Sequence, residues 1–277
     1  MSFTLTELKS TIQDYSENTE TTFVNNLREF IRAAENRIFK SVDFEVFRKN
    51  VTSATTSSDR FLSVPDDYLA SFSLSLTNSS NIEFLLEKDV NFIQEYNPNS
   101  STTGVPKYYA RFDVTNFILA PTPNSNYSLE LHYYYRPTSL ADSTIELTVA
   151  SSSSLAVNEV ITGSSSGATA TIKSKNDTTN KLTIIVPTTA FTSGETVTGG
   201  TTGASSAISA ISSDTTTTWL STNARSALLY GSLYESYIFM KGEPDILTLY
   251  EKRFTEELMR LKDLGEAREN ADAYRQG

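Results

Sequence analysis

The only histidine of the chain, His132, is the one imidazole that could activate a nucleophile as a general base. Ser128 and Glu130 share its face of a predicted strand, so the residue types of a catalytic triad occur close together. Side chains two residues apart on a strand point the same way and are roughly 7 Å apart. We therefore expect the three not to converge, and we interpret His132 as a solvent-facing residue without a catalytic role.

Two other patterns suggest chemistry without meeting its geometric needs. Carboxylates are adjacent at Asp66/Asp67 and at Glu256/Glu257, and adjacent side chains diverge in strands and in helices. Glycine-bracketed loops at residues 163–167 and 199–203 lack the Lys-Ser/Thr ending of a phosphate-binding loop. The absence of cysteine excludes thiol nucleophiles, disulfides and cysteine-ligated metals. We predict that the protein is not an enzyme and has no catalytic residue, metal site or cofactor.

The charge balance limits the partners of the chain. Its 277 residues carry 23 basic and 33 acidic side chains, a net charge of −10 with histidine neutral. Such a chain repels phosphates, which argues against specific DNA binding and against a basic patch that docks on an anionic membrane. No apolar run is long enough to span a bilayer, so we predict no membrane association.

Helical periodicity marks both ends of the chain. Thr4 followed by Glu7 is the pattern of a capping box at the start of a helix. A longer helix is predicted from about residue 19 to residue 39, and its buried face would comprise Phe23, Leu27, Phe30, Ile31, Ala34 and Ile38. Residues 44–136 alternate with a period of two, which predicts short strands and hairpins. Helical spacing returns at Trp219 and continues to Leu261.

Residues 145–216 differ in composition, being rich in Ser, Thr, Gly and Ala, with Phe191 as the single aromatic residue. The segment 159–163 recurs at 195–199 and Gly167-Ala168 recurs as Gly203-Ala204, with the same offset of 36 residues. A disordered linker is the alternative, but it would not keep apolar residues in register across two copies. We predict a small β-barrel or sandwich made of two related halves.

The order helices, strands, helices predicts an α+β fold once the repeat segment is set aside. The expected architecture is a helical bundle formed by the N- and C-terminal helices, with short β-hairpins and an inserted small all-β domain. The expected domains are a discontinuous core domain of residues 1–144 and 217–277, and the inserted domain of residues 145–216.

Several segments, in this order and spacing, resemble the head-to-tail adaptor proteins of short-tailed bacteriophages. They are residues 104–109 (GVPKYY), 121–123 (PTP), 131–137 (LHYYYRP), 219–220 (WL), 227–237 (ALLYGSLYESY) and 250–254 (YEKRF). The resemblance covers most of the chain outside residues 145–216, and that small domain is a departure from the compact members of the family.

The resemblance implies a noncatalytic ring in the phage neck, expected to have twelve copies, that joins the portal protein to the tail and continues the DNA channel. The implied partners are further copies of the chain, the portal protein, a tail nozzle or tail-tube protein and, for the insert, tail fibres. Genomic DNA would pass through without specific binding. The implied location is the virion neck, after assembly in the host cytoplasm. The family's C-terminal region reaches the portal, which predicts portal docking by Leu261, Leu264, Arg268 and Tyr274.

A ring contact repeats head to tail, so two different surfaces of one subunit must match each other. The aromatic faces of the N- and C-terminal helices predict one such surface at Phe23, Phe30, Tyr230 and Tyr237. An alternative function is tail attachment or fibre docking, with the insert binding host glycan or a fibre. Sugar sites usually present exposed aromatic rings, and the insert offers only Phe191.

Overall fold

The computed structural model describes residues 2–42 and 45–275, and the side-chain surroundings of Glu45 and residues 264–275 lie outside this description. The fold is mixed α+β, as the sequence predicts. The helices are α1 (Leu5–Ser16), α2 (Thr21–Ser41), α3 (Val90–Tyr96), α4 (Trp219–Asn223), α5 (Arg225–Met240) and α6 (Pro244–Arg275). The strands are β1 (Arg48–Ala54), β2 (Phe61–Ser63), β3 (Tyr68–Asn78), β4 (Asn81–Glu87), β5 (Thr103–Gly104), β6 (Tyr108–Arg111), β7 (Asn116–Ala120), β8 (Thr122–Pro123), β9 (Ser128–Tyr135), β10 (Thr144–Val149), β11 (Val160–Gly163), β12 (Thr169–Asn176), β13 (Lys181–Ile185), β14 (Thr196–Gly199) and β15 (Ser205–Ile211).

The chain divides into two compact units, a larger one of residues 1–43 and 138–277 and a smaller one of residues 44–137. These limits differ from the predicted domain boundaries because the core of the repeat segment is continuous with that of the helices. Whether residues 145–216 form an inserted domain that folds independently stays a prediction.

The predicted start of the first helix is confirmed. The Glu7 amide donates to Thr4 Oγ1 at 3.2 Å, and the Thr4 amide donates to Glu7 Oε2 at 3.0 Å, which completes the capping box. The predicted apolar stripes of both N-terminal helices are also buried, and comprise Leu5, Leu8 and Ile12 on α1 and Phe23, Leu27, Phe30, Ile31, Ala34 and Ile38 on α2.

Small residues let α5 approach its neighbours closely. Helix α5 contacts α1, α2, α4 and α6. A Cβ atom built on Gly231 would lie 2.8 Å from Phe254 Cε2 on α6 and 3.0 Å from Ala34 Cβ on α2. Neither distance leaves room for a methyl group, so glycine at this position sets the separation of three helices.

The repeat segment forms a closed antiparallel barrel in the strand order β10-β13-β12-β11-β14-β15, with β15 pairing back to β10. Strands β11 and β14 are equivalent in the two repeats, as are β12 and β15. The predicted core residue Phe191 is buried. Of the two predicted forms, the structure is therefore a barrel and not a sandwich.

A buried glutamate from each repeat caps the glycine-bracketed loop of the other. Glu195 accepts hydrogen bonds from the Ser165 and Ser166 amides, both at 3.0 Å, and from their hydroxyl groups at 3.1 and 2.7 Å. In the other half, Glu159 accepts from the amide of Thr202 at 3.1 Å and from its hydroxyl group. The loops thus hold an anion, and that anion is the protein's own carboxylate.

These contacts keep the buried Glu195 side chain ionised. Burial alone would raise the pKa of Glu195, but hydrogen bonds from Ser165, Ser166 and Thr192 lower it from the ordinary 4.5 to about 2. The same kind of contact lowers the pKa of Glu159. Two carboxylates therefore tie the repeats together.

One apolar core serves both the helices and the barrel. It continues from the buried faces of α1, α2 and α5 into the barrel interior, and its members include Leu8, Ile12, Phe23, Leu27, Leu228, Leu233, Ile145, Leu147, Leu182, Ile184 and Ile208. The larger unit is therefore held by burial of apolar surface across its two architectures.

The smaller unit is built around a seven-stranded sheet in the order β1-β9-β3-β4-β6-β7-β2. Neighbouring strands are antiparallel except β4 and β6, and β5 pairs with β8 separately. Its core includes Leu74, Leu76, Leu85, Phe117, Leu129, Leu131 and Tyr133. Side chains alternate between the faces of a strand, so residues between these positions lie on the opposite face.

We predict that Glu195→Gln destabilises the protein at pH 7 by about 2 kcal/mol or more, because an amide donor would replace a charged acceptor among several N–H groups. The Glu195 contribution is full above its ordinary pKa of 4.5 and is lost as the pH falls toward about 2. Denaturant unfolding measured against pH should therefore show a weaker acid dependence in the variant. Glu146→Gln, in an exposed pair with Lys181 at 2.7 Å, is the control and should change stability little. Equal effects of the two substitutions would contradict this account.

We also predict that Gly231→Ala destabilises the protein. Alanine is about 1 kcal/mol better than glycine inside a helix, but overpacking against Phe254 and Ala34 costs about 1–3 kcal/mol. Ser226→Ala, at an exposed position of the same helix, should be neutral or slightly stabilising. Adding Phe254→Leu to Gly231→Ala should recover part of the loss in thermal unfolding, and a stabilising single Gly231→Ala substitution would refute the close approach.

Candidate functional site

The sequence predicts that Ser128, Glu130 and His132 do not converge, and this prediction is wrong for the pair Glu130 and His132. His132 Nε2 lies 3.6 Å from Glu130 Oε1, because long side chains two positions apart on β9 can lean toward each other. Both side chains are 45% exposed. Ser128 pairs with Thr77 on β3 and with Ala54 on β1, and no contact joins its side chain to His132 in the described part of the chain. The group is thus an exposed polar pair without a nucleophile in contact.

Asp67 of the first carboxylate pair has a structural role in the smaller unit. Its carboxylate accepts from Lys49 Nζ and from the Tyr133 hydroxyl group, both at 2.7 Å. Burial would raise the pKa of Asp67, but these two hydrogen bonds lower it. Asp67 therefore ties the turn before β3 to strands β1 and β9.

Glu35 is a buried carboxyl group of the larger unit. It accepts from the Leu140 amide at 3.0 Å and from the Ser139 hydroxyl group, which fixes the turn that leads into the barrel. Burial raises its pKa against the effect of these hydrogen bonds. Because both oxygen atoms are engaged by the turn, we assign Glu35 to the connection between α2 and the barrel.

In the described residues, no group of three or more His, Asp or Glu side chains could hold a metal ion. No helix in that same part of the chain is long and apolar enough to cross a membrane.

Strand β4 carries a row of exposed apolar side chains on the outer face of the sheet. Ile82 is 63% exposed, Phe84 is 68% exposed and Leu86 is 58% exposed. Leu85 between them points inward and is buried, as alternation along a strand requires. Three large apolar side chains in a row exceed the scattered exposure that is normal for a monomer.

The row continues onto neighbouring elements. Leu86 pairs with Tyr108 of β6. The Tyr108 ring lies 5.2 Å from that of Phe92 and 5.0 Å from that of Tyr96, and both of these α3 residues are exposed. We call the set Ile82, Phe84, Leu86, Phe92, Tyr96 and Tyr108 the apolar strip.

The backbone of β4 is open along the same strip. Strand β6 pairs with β4 only at Leu86 and Glu87, and the Leu86 amide donates to Lys107 O at 3.0 Å. Amide directions alternate along a strand, so the amides of Ile82 and Phe84 point to this side, away from β3. Among the described residues no strand pairs with this edge before Leu86. The strip therefore combines apolar side chains with unpaired backbone groups.

A second, smaller apolar surface lies at the end of the sheet. Phe61 of the edge strand β2 and Phe112 are both exposed, and their ring centroids are 5.2 Å apart. The Arg60 guanidinium lies 5.8 Å from the Phe61 ring centroid. We call Phe61 and Phe112 the aromatic pair.

The sequence-predicted interface residues occupy the larger unit. Phe23 and Phe30 are buried in its core, whereas Tyr230 and Tyr237 are partly buried beside Tyr250, at 6.4 and 5.0 Å between ring centroids. Leu261 of the predicted portal-docking set is buried. The side chains of Leu264, Arg268 and Tyr274 lie outside the described residues. The docking and interface roles stay predictions.

Sequence reasoning missed the apolar strip. The signal was available in residues 82–86, because Ile82, Phe84, Leu85 and Leu86 place apolar side chains on both faces of one strand. An antiparallel sheet with one solvated face normally shows polar residues at every second position. Apolar residues on both faces of a strand indicate that the outer face is also suited to burial, which makes residues 82–86 a candidate contact surface.

Comparison with known proteins supports an interaction role. A family model described as SU10 adaptor protein matches residues 3–161, which is more than half of the 277-residue chain. No match was found among curated proteins. The family match confirms the resemblance to head-to-tail adaptors of short-tailed phages. The chain belongs to the SU10 adaptor protein family.

Proposed function

We propose that the protein is a noncatalytic adaptor that forms a ring in the phage neck, joins the portal to the tail and continues the DNA channel. The observation that carries the proposal is the apolar strip on a chain that belongs to an adaptor family. An uncovered strip of this kind in a phage structural protein is best explained by burial in an assembly.

The occupant that we propose for the strip is a neighbouring copy of the same chain. A head-to-tail ring needs two different matching surfaces, and the strip and the aromatic pair are two apolar surfaces on one unit. The edge strand β2 can then extend the hydrogen bonding of β4 in the next subunit.

The remaining parts of the proposal follow from charge and from the resemblance. A net charge of −10 repels DNA phosphates, which suits a conduit that must not hold the duplex. The N- and C-terminal helices would act as one bundle, with Leu261, Leu264, Arg268 and Tyr274 toward the portal and with Tyr230 and Tyr237 beside a neighbouring subunit. Twelve copies are expected by resemblance alone. The glycan-binding alternative gains no support, because Phe191, the single aromatic residue of residues 145–216, is buried.

We predict that Ile82→Thr/Phe84→Thr abolishes ring formation and leaves a folded monomer, because threonine suits a strand but removes the apolar contact. Phe61→Thr/Phe112→Thr should do the same from the opposite surface. Native mass spectrometry of a mixture of the two variants should show a one-to-one heterodimer, since each retains one intact surface.

The control for this experiment is Val114→Thr, because Val114 is 83% exposed in the turn after β6 and lies outside both surfaces. It should form the same rings as the natural chain. A natural chain that stays monomeric with and without portal protein would refute the ring, and variants that still assemble would refute these surfaces.

We further predict that removal of residues 264–277 abolishes portal binding and preserves the ring. The truncation leaves Leu261, which is buried, and leaves both sheet surfaces intact. Co-sedimentation of the truncated and natural chains with purified portal protein measures the difference. Undiminished portal binding by the truncated chain would refute C-terminal docking.

A further inference from the structure

A cavity of about 310 Å³ lies between α1 and the barrel within the larger unit. Its apolar wall comprises Val24, Ile145, Val186, Phe191 and Ile211. Helix α1 supplies the polar wall with Thr6, Lys9, Ser10 and Gln13. Thr6 and Ser10 are exposed, so the cavity is open to solvent. Both its volume and its mixed lining are typical of a site for a small ligand group.

Lys9 is the unusual side chain in this cavity. The residue is only 7% exposed. No hydrogen bond or ion pair joins its ammonium group to another described residue, and the ammonium nitrogen is not among the fully buried atoms that lack a partner, so solvent reaches it. Lys175 of the barrel, which is also partly buried, differs from Lys9 because its ammonium group has protein partners. It contacts Ser152 O at 3.3 Å, Ser153 O at 3.0 Å and Asp177 Oδ2 at 3.2 Å. The Lys9 ammonium group therefore depends on water or on a bound anion for its hydrogen bonds.

The two charged groups that act on Lys9, Arg28 and Asp214, form no hydrogen bond or ion pair with its ammonium group. Arg28 donates from Nη1 to Ala141 O at 3.0 Å, while its buried Nη2 has no partner in the described part of the chain. Asp214 is committed elsewhere, because one oxygen accepts from the Thr6 amide at 3.0 Å and from its hydroxyl group at 2.9 Å. Burial and the Arg28 charge lower the pKa of Lys9 to about 8, against the opposing effect of Asp214. Lys9 is therefore still mainly protonated at pH 7.

We propose that this cavity binds a carboxylate group carried on a short apolar chain, with the Lys9 ammonium group as the main partner of the carboxylate. The apolar wall formed by Val186, Phe191 and Ile211 would receive the chain. A carboxylate supplies the charge and the acceptors that Lys9 lacks, and the aliphatic part gains from leaving water. The ligand is either a free monocarboxylic acid or a glutamate side chain of another protein, which share this chemistry.

Thermal unfolding of the full chain at pH 7 and constant ionic strength tests the proposal. Replacing chloride by 4-methylpentanoate should raise the unfolding midpoint saturably, with a dissociation constant on the order of 1 mM or lower. A short blocked peptide whose only carboxylate is a glutamate side chain forms the second arm. A response to the free acid alone indicates a small molecule, and a response to the peptide alone indicates a protein partner.

Lys9→Met is the test variant, because removing the unpaired charge of a largely buried side chain while keeping chain length should not unfold the protein. It should lose about tenfold or more in affinity for the responsive ligand. Ser10→Ala, which alters the same cavity without changing charge, should bind within about twofold of the natural chain.

NMR of the Lys9 ε-carbon in the natural chain provides a readout that needs no variant. Carboxylate binding should shift this resonance and raise the pKa of Lys9, and the other charged groups facing it are Arg28 and Asp214. No saturable response to either ligand, or an equal response in Lys9→Met, would overturn the proposal. The cavity plays no part in the proposed ring contact, so either idea can fail without the other.

Discussion

The apolar core shared by α1, α2, α5 and the barrel is the contact on which the larger unit depends. The apolar stripes of the helices near both ends of the sequence pack there against the interior of the barrel. The barrel is formed by strands β10 to β15, which lie between these helices in the sequence. Burial of a large apolar side chain contributes roughly 1.5–3 kcal/mol, so this joint core outweighs the hydrogen bonds of individual turns. The polar contacts of Glu35, Glu159 and Glu195 then fix how turns and loops attach to it.

The smaller unit buries one face of its sheet, and α3 covers the opposite face over β6 and β7, where Ala110, Ile118 and Ala120 are buried. The rest of that opposite face is only partly polar. On β9 the outer positions carry His132 and Glu130, whereas on β4 they carry Ile82, Phe84 and Leu86. This contrast within one face is the reason why we propose β4 as the strand that meets another protein. Membership of a structural adaptor family agrees with a surface whose role is contact and not catalysis.

Much of the fold could be predicted because local patterns were strong. The Thr4–Glu7 capping box, the stripe of α2 and the 36-residue repeat each follow from spacing in the sequence. The continuity of the helical and barrel cores could not be predicted, since periodicity shows that a face is buried but not what covers it. The contact between His132 and Glu130 depends on side-chain length, and the pairing of Glu195 with Ser165 and Ser166 joins residues about thirty positions apart. The candidate surface escaped prediction for a related reason, because exposure of Phe84 is known only once the neighbours of β4 are known.

Hydrogen exchange of β4, compared between separated subunits and the assembled oligomer, tests the central claim most directly. The amides of Ile82 and Phe84 should exchange rapidly in the separated subunit, while the amides of Leu74 and Leu76 on β3 stay protected. On assembly the amides of Ile82 and Phe84 should become protected, because a strand of the neighbouring copy would accept their hydrogen bonds. Equally rapid exchange of Ile82 and Phe84 in both states would contradict the account.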